Sequence, residues 1–300
     1  MAYILNTTED VEHMLASIGL SSLDELFDSI PEGIRLSRPL EIPPAMPEWE
    51  LTRHLSELSQ RNLNVESTPC FLGGGAYDHF IPALVDQLAG RGEFYTAYTP
   101  YQAEASQGTL QAIYEYQTLI ANLVGLDISN ASLYEGGSAV AEAVLMAQAV
   151  TDRTGRVVLA ETLHPEYRQV VQTYLANLDT EIVLAPARAG RIDPGELAHL
   201  INDETAALVI QNPNARGQVE PLAAQIAIAH KHGALAVVSV DPISLGLLKR
   251  PGDLGADIVV AEGQSLGNPL VYGGPYLGIL ACRQEYSRQI PGRIVGETLA

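Results

Sequence analysis

Between Ala131 and Val240 short apolar runs alternate with stretches of helical periodicity, and this alternation restricts the chain to a few architectures. The runs are Ala131 to Tyr134, Arg156 to Ala160, Glu181 to Leu184, Ala206 to Gln211 and Ala234 to Val240. The stretches between them, at about 138–151, 165–177, 194–201 and 222–232, each have the length of a βαβ crossover. Runs that are apolar throughout predict strands buried on both faces, hence a parallel sheet covered by helices on each side. After Val240 the rhythm changes. Asp257 to Glu262 and Tyr276 to Cys282 are strand-like, and the glycine-rich turn Gly263 to Gly274 leaves no room for a helix, which predicts a hairpin or a short crossover.

Upstream, a long amphipathic helix is expected from Ser106 to near Gly125, with Leu110, Ile113, Tyr114, Gln117, Leu119 and Ile120 along it. Residues 1 to about 70 read as a separate arm and 71–300 as the large α/β domain. Thr7 or Thr8 opens a helix whose first turn is acidic and whose stripe is Val11, Met14, Leu15 and Ile18 before Gly19. Pro31, Pro39, Pro43, Pro44 and Pro47 then favour an extended stretch, better suited to wrapping a neighbour than to forming a core.

A net charge of -19 repels nucleic-acid phosphates and anionic lipid, so neither is expected as a partner. Cys70 and Cys282 stand apart with no histidine cluster at ligand spacing, which predicts neither a disulfide framework nor a metal site. The start, Met1 to Glu12, has no basic residue and no apolar segment of a targeting signal, and no apolar run has spanning length; a cytoplasmic protein is expected.

Four features bear on chemistry. Gly136, Gly137 and Ser138 lie between a strand and a helix, where backbone N–H groups can cradle a phosphate; a plain turn with Ser138 as cap is the other reading. His164, before Pro165, is placed at the carboxyl edge of the sheet, where it can lie on an aromatic ring or be satisfied within its own loop. Asp241 closes the run Ala234 to Val240 at the same edge, where a carboxylate can hold a pyridine nitrogen protonated, or simply cap a turn before Pro242. The fourth is an absence. The chain has two lysines, Lys231 at a helix end and Lys249 in a loop, and neither follows the strand after Asp241, where an imine-forming amine would be placed; Gln264 stands there instead.

These residues resemble glycine decarboxylase, the P protein of the glycine cleavage system, in its N-terminal half or separate first subunit. The resemblance covers almost the whole chain. It is most specific in Glu93 to Gln111, with Ile18-Gly19, Asp24-Glu25-Leu26-Phe27, Phe71-Leu72-Gly73-Gly74-Gly75-Ala76-Tyr77, Gly263 to Gly267, Tyr272 to Gly278 and Pro291-Gly292-Arg293. Counting back from Pro275 by the interval of the lysine-bearing half lands on Gln264. The chain departs from the family's pattern at Glu135-Gly136-Gly137-Ser138 and at Ala215-Arg216, and it ends at Ala300, inside the family's run.

The resemblance implies an α/β fold of the pyridoxal-phosphate-dependent transferase (aspartate-aminotransferase) type with an N-terminal helical arm and without the C-terminal small domain. It implies subunit 1 of glycine dehydrogenase (decarboxylating), inactive alone. With a lysine-bearing second subunit that holds the pyridoxal phosphate covalently, in a heterotetramer, it would bind glycine, release carbon dioxide and pass the aminomethyl group to the lipoyl H protein. Aminomethyltransferase and dihydrolipoyl dehydrogenase are the implied pathway partners. No covalent cofactor is expected on this chain; Gly136, Gly137, Ser138, His164, Asp241 and Gln264 form a vestigial cofactor set. Tyr95, Tyr98, Thr99, Tyr101, Gln102, Glu104, Ser106 and Gln107 are candidates for reaching the partner's site. A non-catalytic scaffold with a relic pocket, and an independent phosphate-binding α/β protein, remain the other readings.

Overall fold

The computed structural model describes residues 5–36, 38–64, 67–71, 73–96, 98–271, 274 and 276–298. Met1 and the motif residues Leu72, Ala97, Tyr272, Gly273 and Pro275 lie outside them. The chain divides into two compact units, residues 1–64 and 65–300.

In the first unit Thr7 caps α1 (Thr8–Ser17): its hydroxyl accepts from the Asp10 amide at 3.2 Å while the Asp10 carboxylate accepts from the Thr7 amide at 2.8 Å. This reciprocal pair satisfies two donors that a helix start leaves open. The helix ends before Gly19, whose φ of 77° is left-handed. After a single turn at Glu32–Ile34 the proline-bearing stretch is irregular up to α2 (Glu48–Ser59). Among the described residues of this unit only Leu15 is buried, and Leu36, Leu40, Ile42 and Met46 are exposed.

The second unit begins with the short helices α3 (Ala83–Ala89) and α4 (Gly92–Tyr95) and the long α5 (Ala103–Val124). Helix α5 opens three residues earlier than its periodicity predicts, with a kink at Ser106 (φ -138°, ψ 39°). It ends on Gly125, whose φ of 77° lets its amide turn back to the Ala121 carbonyl at 2.9 Å. Then follow β1 (Ile128–Ser129), α6 (Gly136–Thr151), β2 (Arg156–Ala160), α7 (Pro165–Leu175), β3 (Glu181–Ala185), β4 (Ala187–Arg188), β5 (Arg191–Ile192), α8 (Pro194–Leu200), β6 (Thr205–Asn212), α9 (Leu222–Lys231), β7 (Leu235–Val240), β8 (Ile258–Glu262) and β9 (Gly278–Cys282).

Seven strands form one sheet in the order β1-β9-β8-β7-β6-β2-β3. Strands β3, β2, β6, β7 and β8 run parallel, as the alternation predicts. The two strands after Val240 pair antiparallel, Ile258 opposite Cys282. Val158, Leu208, Val237, Val259 and Leu280, on five neighbouring strands, are fully buried. Each contributes about 1.5–3 kcal/mol by leaving water. Helix α6 packs on the sheet and on α7, and its Ala139, Ala143 and Ala147 are fully buried.

Two local readings are corrected. Ala131 to Tyr134 is not a strand: β1 lies earlier, at Ile128–Ser129, and Leu133 makes only an isolated bridge to Gly278. The backbone leaves the sheet because it finds partners elsewhere. The Ala131 amide donates to the Arg293 carbonyl at 2.7 Å, and the Asn130 side chain donates to the Pro291 carbonyl at 2.9 Å. The β4–β5 hairpin, which the sequence does not announce, turns through Ala189 (φ 49°) and Gly190 (φ 86°). Both central residues of such a turn need positive φ, and Ala-Gly is a weak signal for it.

Candidate functional site

The parallel order carries the ends of β2, β6, β7 and β8 to one edge, and with them His164, Gln211, Asp241 and Glu262. His164 caps α7: its ring Nδ1 accepts from the Glu166 amide at 3.2 Å, and its own amide donates to the Gln211 side chain at 2.7 Å. The ring packs on Tyr167, centroids 4.7 Å apart at 36°. Asp241 caps the single turn Pro242–Gly246, accepting from the Ile243 amide at 3.0 Å.

Gln264, at the expected lysine position, is fully buried and its amide is fully engaged. Its oxygen accepts from the Tyr77 amide at 2.8 Å, and its nitrogen donates to the carbonyls of Tyr77 at 3.0 Å and Asn268 at 2.8 Å. The side chain thereby stitches the turn after β8 to the segment at Tyr77.

Gly136, Gly137 and Ser138 form the first turn of α6, buried in the core. Their cap is Glu135, whose two carboxylate oxygens accept from the Ser138 amide at 2.7 and 3.1 Å. A second carboxylate reaches the same turn from β8: Glu262 accepts from the Gly136 amide at 2.9 Å with one oxygen. Its other oxygen accepts from the Gln264 and Leu277 amides at 2.9 and 3.1 Å. Burial raises the Glu262 pKa above the ordinary 4.5, the three backbone amides oppose the rise and nearby Glu135 adds to it. Tyr167 closes the cradle from behind; its phenol is held well above its ordinary value by burial first and by Glu262 second. A Cβ on Gly136 would overlap the Tyr167 hydroxyl and come within 2.8 Å of the Tyr167 ring.

The raised pKa has a sign. The folded protein takes up a proton at Glu262 at higher pH than the unfolded chain, so stability falls as pH rises from 4.5 through the folded-state value. Glu262→Gln is expected to flatten that limb. Urea midpoints measured upward from pH 4.5 check it, and parallel profiles for the two proteins would remove the assignment.

Of the six residues read as a cofactor set, Asp241 lines a cavity of about 30 Å³ with Gly75, Tyr77, Tyr167, Ser239 and Glu262, and the other five are not among its walls. The 95–107 candidates are elsewhere and face outward: Tyr95 and Tyr98 are 81% and 95% exposed. Gln102, Glu104 and Gln107 are exposed, whereas Thr99 and Ser106 are half-buried, the Ser106 hydroxyl donating to the Thr99 carbonyl at 2.8 Å. Tyr101 lies under the Arg293 guanidinium, 4.3 Å from centroid to carbon, beside a groove of about 620 Å³ that also touches Ser132 and Tyr134. Sequence reasoning missed Glu135, Glu262, Tyr167 and Arg293 as members of these sites. Glu262 had a signal, an acid closing an apolar strand before glycine; Tyr167, one aromatic in a helical turn, had none. Among the described residues no group of three His, Cys, Asp or Glu is placed to hold a metal, and no helix is long and apolar enough to cross a membrane.

The sheet order, the helices on it and the convergent carboxyl edge define the fold of pyridoxal-phosphate-dependent enzymes. A Burkholderia pseudomallei sphingosine-1-phosphate lyase superposes with a TM-score of 0.60 over 87% of this chain and 64% of its own at 16% identity, a likeness of fold alone. The sequence matches the glycine cleavage system P-protein family over residues 1–299, and the chain belongs to that family. It is 52% identical over 298 residues to a Carboxydothermus hydrogenoformans protein named "Probable glycine dehydrogenase (decarboxylating) subunit 1", covering 99% of this chain and 67% of that one. A Geotalea uraniireducens protein of the same name is 53% identical, covering 100% of this chain and 66% of its own. A crystal structure of glycine decarboxylase (P-protein) in inhibitor-bound form superposes with a TM-score of 0.91 at 46% identity, over 100% of this chain and 67% of that one. The chain therefore spans about two thirds of the length of these relatives.

Pyridoxal phosphate, which the fold class uses, does not fit this chain's own edge. Two amides of the α6 turn are already bonded to carboxylates, Gln264 offers no amine, and about 30 Å³ is far below the roughly 300–1,000 Å³ of a small-molecule pocket.

Proposed function

We propose that this chain is the first subunit of a two-subunit glycine decarboxylase and works only with a lysine-bearing partner. The partner holds pyridoxal phosphate, which supplies the electron sink for loss of carbon dioxide from glycine. The lipoyl H protein receives the aminomethyl group, and aminomethyltransferase and dihydrolipoyl dehydrogenase complete the pathway. Gln264 carries this reading: in a chain of the P-protein family, the position where an imine-forming amine is expected holds a buried amide whose polar atoms all have internal partners.

What this chain contributes is surface. The segment from Tyr95 to Gln107 offers Tyr95, Tyr98, Tyr101, Gln102, Glu104 and Gln107 to a neighbour, on a kink fixed by Ser106 and Thr99. Exposed Leu36, Leu40 and Ile42 give the arm an apolar face for the same partner. Together the two chains form a cytoplasmic heterotetramer.

Mixing the chain with a lysine-bearing partner tests the assignment. Exchange of labelled carbon dioxide into glycine should require both chains, and borohydride trapping should mark the partner. Activity from this chain alone would defeat the proposal. Tyr98→Phe and Gln102→Ala are each expected to lower turnover, by up to roughly 100-fold if the group orients a reacting partner. Unchanged turnover in a fully assembled complex would assign the loop to contact alone, and the chain to the scaffold role that its filled edge also accommodates.

A further inference from the structure

A helix start leaves backbone N–H groups open, and these together with the dipole attract an anion. At the start of α6 the anion is present, and it belongs to the protein. The Glu262 carboxylate accepts from amides of three separate segments, Gly136 on α6, Gln264 after β8 and Leu277 before β9. Glu135 takes the Ser138 amide with both oxygens. Among the described residues no side-chain cation is paired with Glu262; its hydrogen-bond partners are backbone amides, and Glu135 is a like charge nearby. A carboxylate held by three amides against burial and repulsion is placed as a bound anion is placed.

We propose that Glu262 is the permanent occupant of an anion cradle, its side-chain carboxylate standing where the phosphate of a small phosphate ester would bind. The chain then excludes such ligands by two independent means, the lost amine at Gln264 and the filled cradle at Gly136. Restoring the amine alone does not reopen the site, because the donors remain engaged and Tyr167 backs directly on Gly136. The inference concerns this chain's own edge and stands whether or not the 95–107 loop reaches a partner's site.

The test begins with the unaltered chain. Its thermal midpoint is expected to be the same in chloride and in millimolar inorganic phosphate at matched ionic strength. A saturable rise of several degrees in phosphate would overturn the proposal. Glu262→Ala is expected to lower the midpoint by roughly 2–4 °C or more, and phosphate should recover part of the loss by taking the freed amides. A lowered midpoint indifferent to phosphate would also overturn it. If that variant does not fold, Glu262→Ser, which empties the cradle and leaves a small polar group, serves for the same comparison. Separately, Gln264→Lys is incubated with pyridoxal phosphate, reduced with borohydride and mapped by peptide mass. There the lysine amine would condense with the aldehyde and lose water, and the imine carbon would accept hydride from the borohydride while the nitrogen takes a proton from water, leaving a secondary amine. Surface labelling at Lys231 and Lys249 sets the background. Label at position 264 no greater than that background is expected; stoichiometric label there with Glu262 intact refutes the inference.

Discussion

Glu220→Ala is expected to lower the unfolding free energy by about 3–5 kcal/mol. The Glu220 side chain is buried on the loop after β6, and its carboxylate accepts four hydrogen bonds from four different residues. One oxygen takes the Thr162 hydroxyl at 3.0 Å and the Asn214 side chain at 2.7 Å. The other takes the Ile192 amide at 3.1 Å and the Gln225 side chain at 3.0 Å. These donors come from the loop after β2, the loop after β6, strand β5 and helix α9. A methyl group leaves the Thr162 hydroxyl and the Ile192 amide without an acceptor in a site closed to water, and strips one of two bonds from the Asn214 and Gln225 side chains, which keep the Gly190 and Ile192 carbonyls at 2.8 and 3.0 Å. Each unsatisfied buried donor costs on the order of 1–3 kcal/mol before relaxation. The loss is less than the sum because the loop can shift. Glu220→Gln, which keeps one oxygen, should fall between. Urea unfolding at neutral pH measures all three proteins, and a loss below about 1 kcal/mol for the alanine variant would mean that the donors find other acceptors.

Gly252→Ala is expected to destabilise by about 2–3 kcal/mol, at the upper end for overpacking. Gly252 lies against the end of α5, where an added Cβ would overlap the Gly125 carbonyl and come within 3.0 Å of the Val124 carbonyl oxygen. The obstacle is backbone, so no side-chain rotation relieves it. The same turn is pinned on both sides: Arg250 donates to both Asp253 oxygens at 2.8 and 2.9 Å and to the Asn122 carbonyl at 3.0 Å. Moving the turn would therefore break the tie between α5 and the segment that leads into β8. A thermal midpoint within about 1 °C of the parent would show that the helix end yields instead.

The central sheet was legible because its strands are buried on both faces and so are apolar at every position, as in Ala206 to Ile210 and Leu235 to Val238. Helix α6 was legible for a related reason: small residues that approach a sheet also carry a high helix propensity. Ala131 to Tyr134 misled because apolar content alone does not say where a backbone finds its partners; Asn130 and the residues near Arg293 decide that from far along the chain. At the site the sequence yielded positions without contacts. His164, Asp241 and Gln264 were read as residues of one edge because parallel strands must end together. Their partners, Tyr167, the Ile243 amide and Tyr77, depend on loop paths that no periodicity encodes.

Sequence by itself determined the fold class and the missing amine, because strand burial and the placement of two lysines are properties of residue order alone. Only the tertiary structure decided what fills the space. Glu135 and Glu262 are 127 positions apart, counted as 262 minus 135, and only sheet closure brings both carboxylates to one helical turn. Their meeting turns a glycine-rich start that could cradle phosphate into one whose donors are already taken, because a buried amide N–H donates to whichever anion the fold delivers to it.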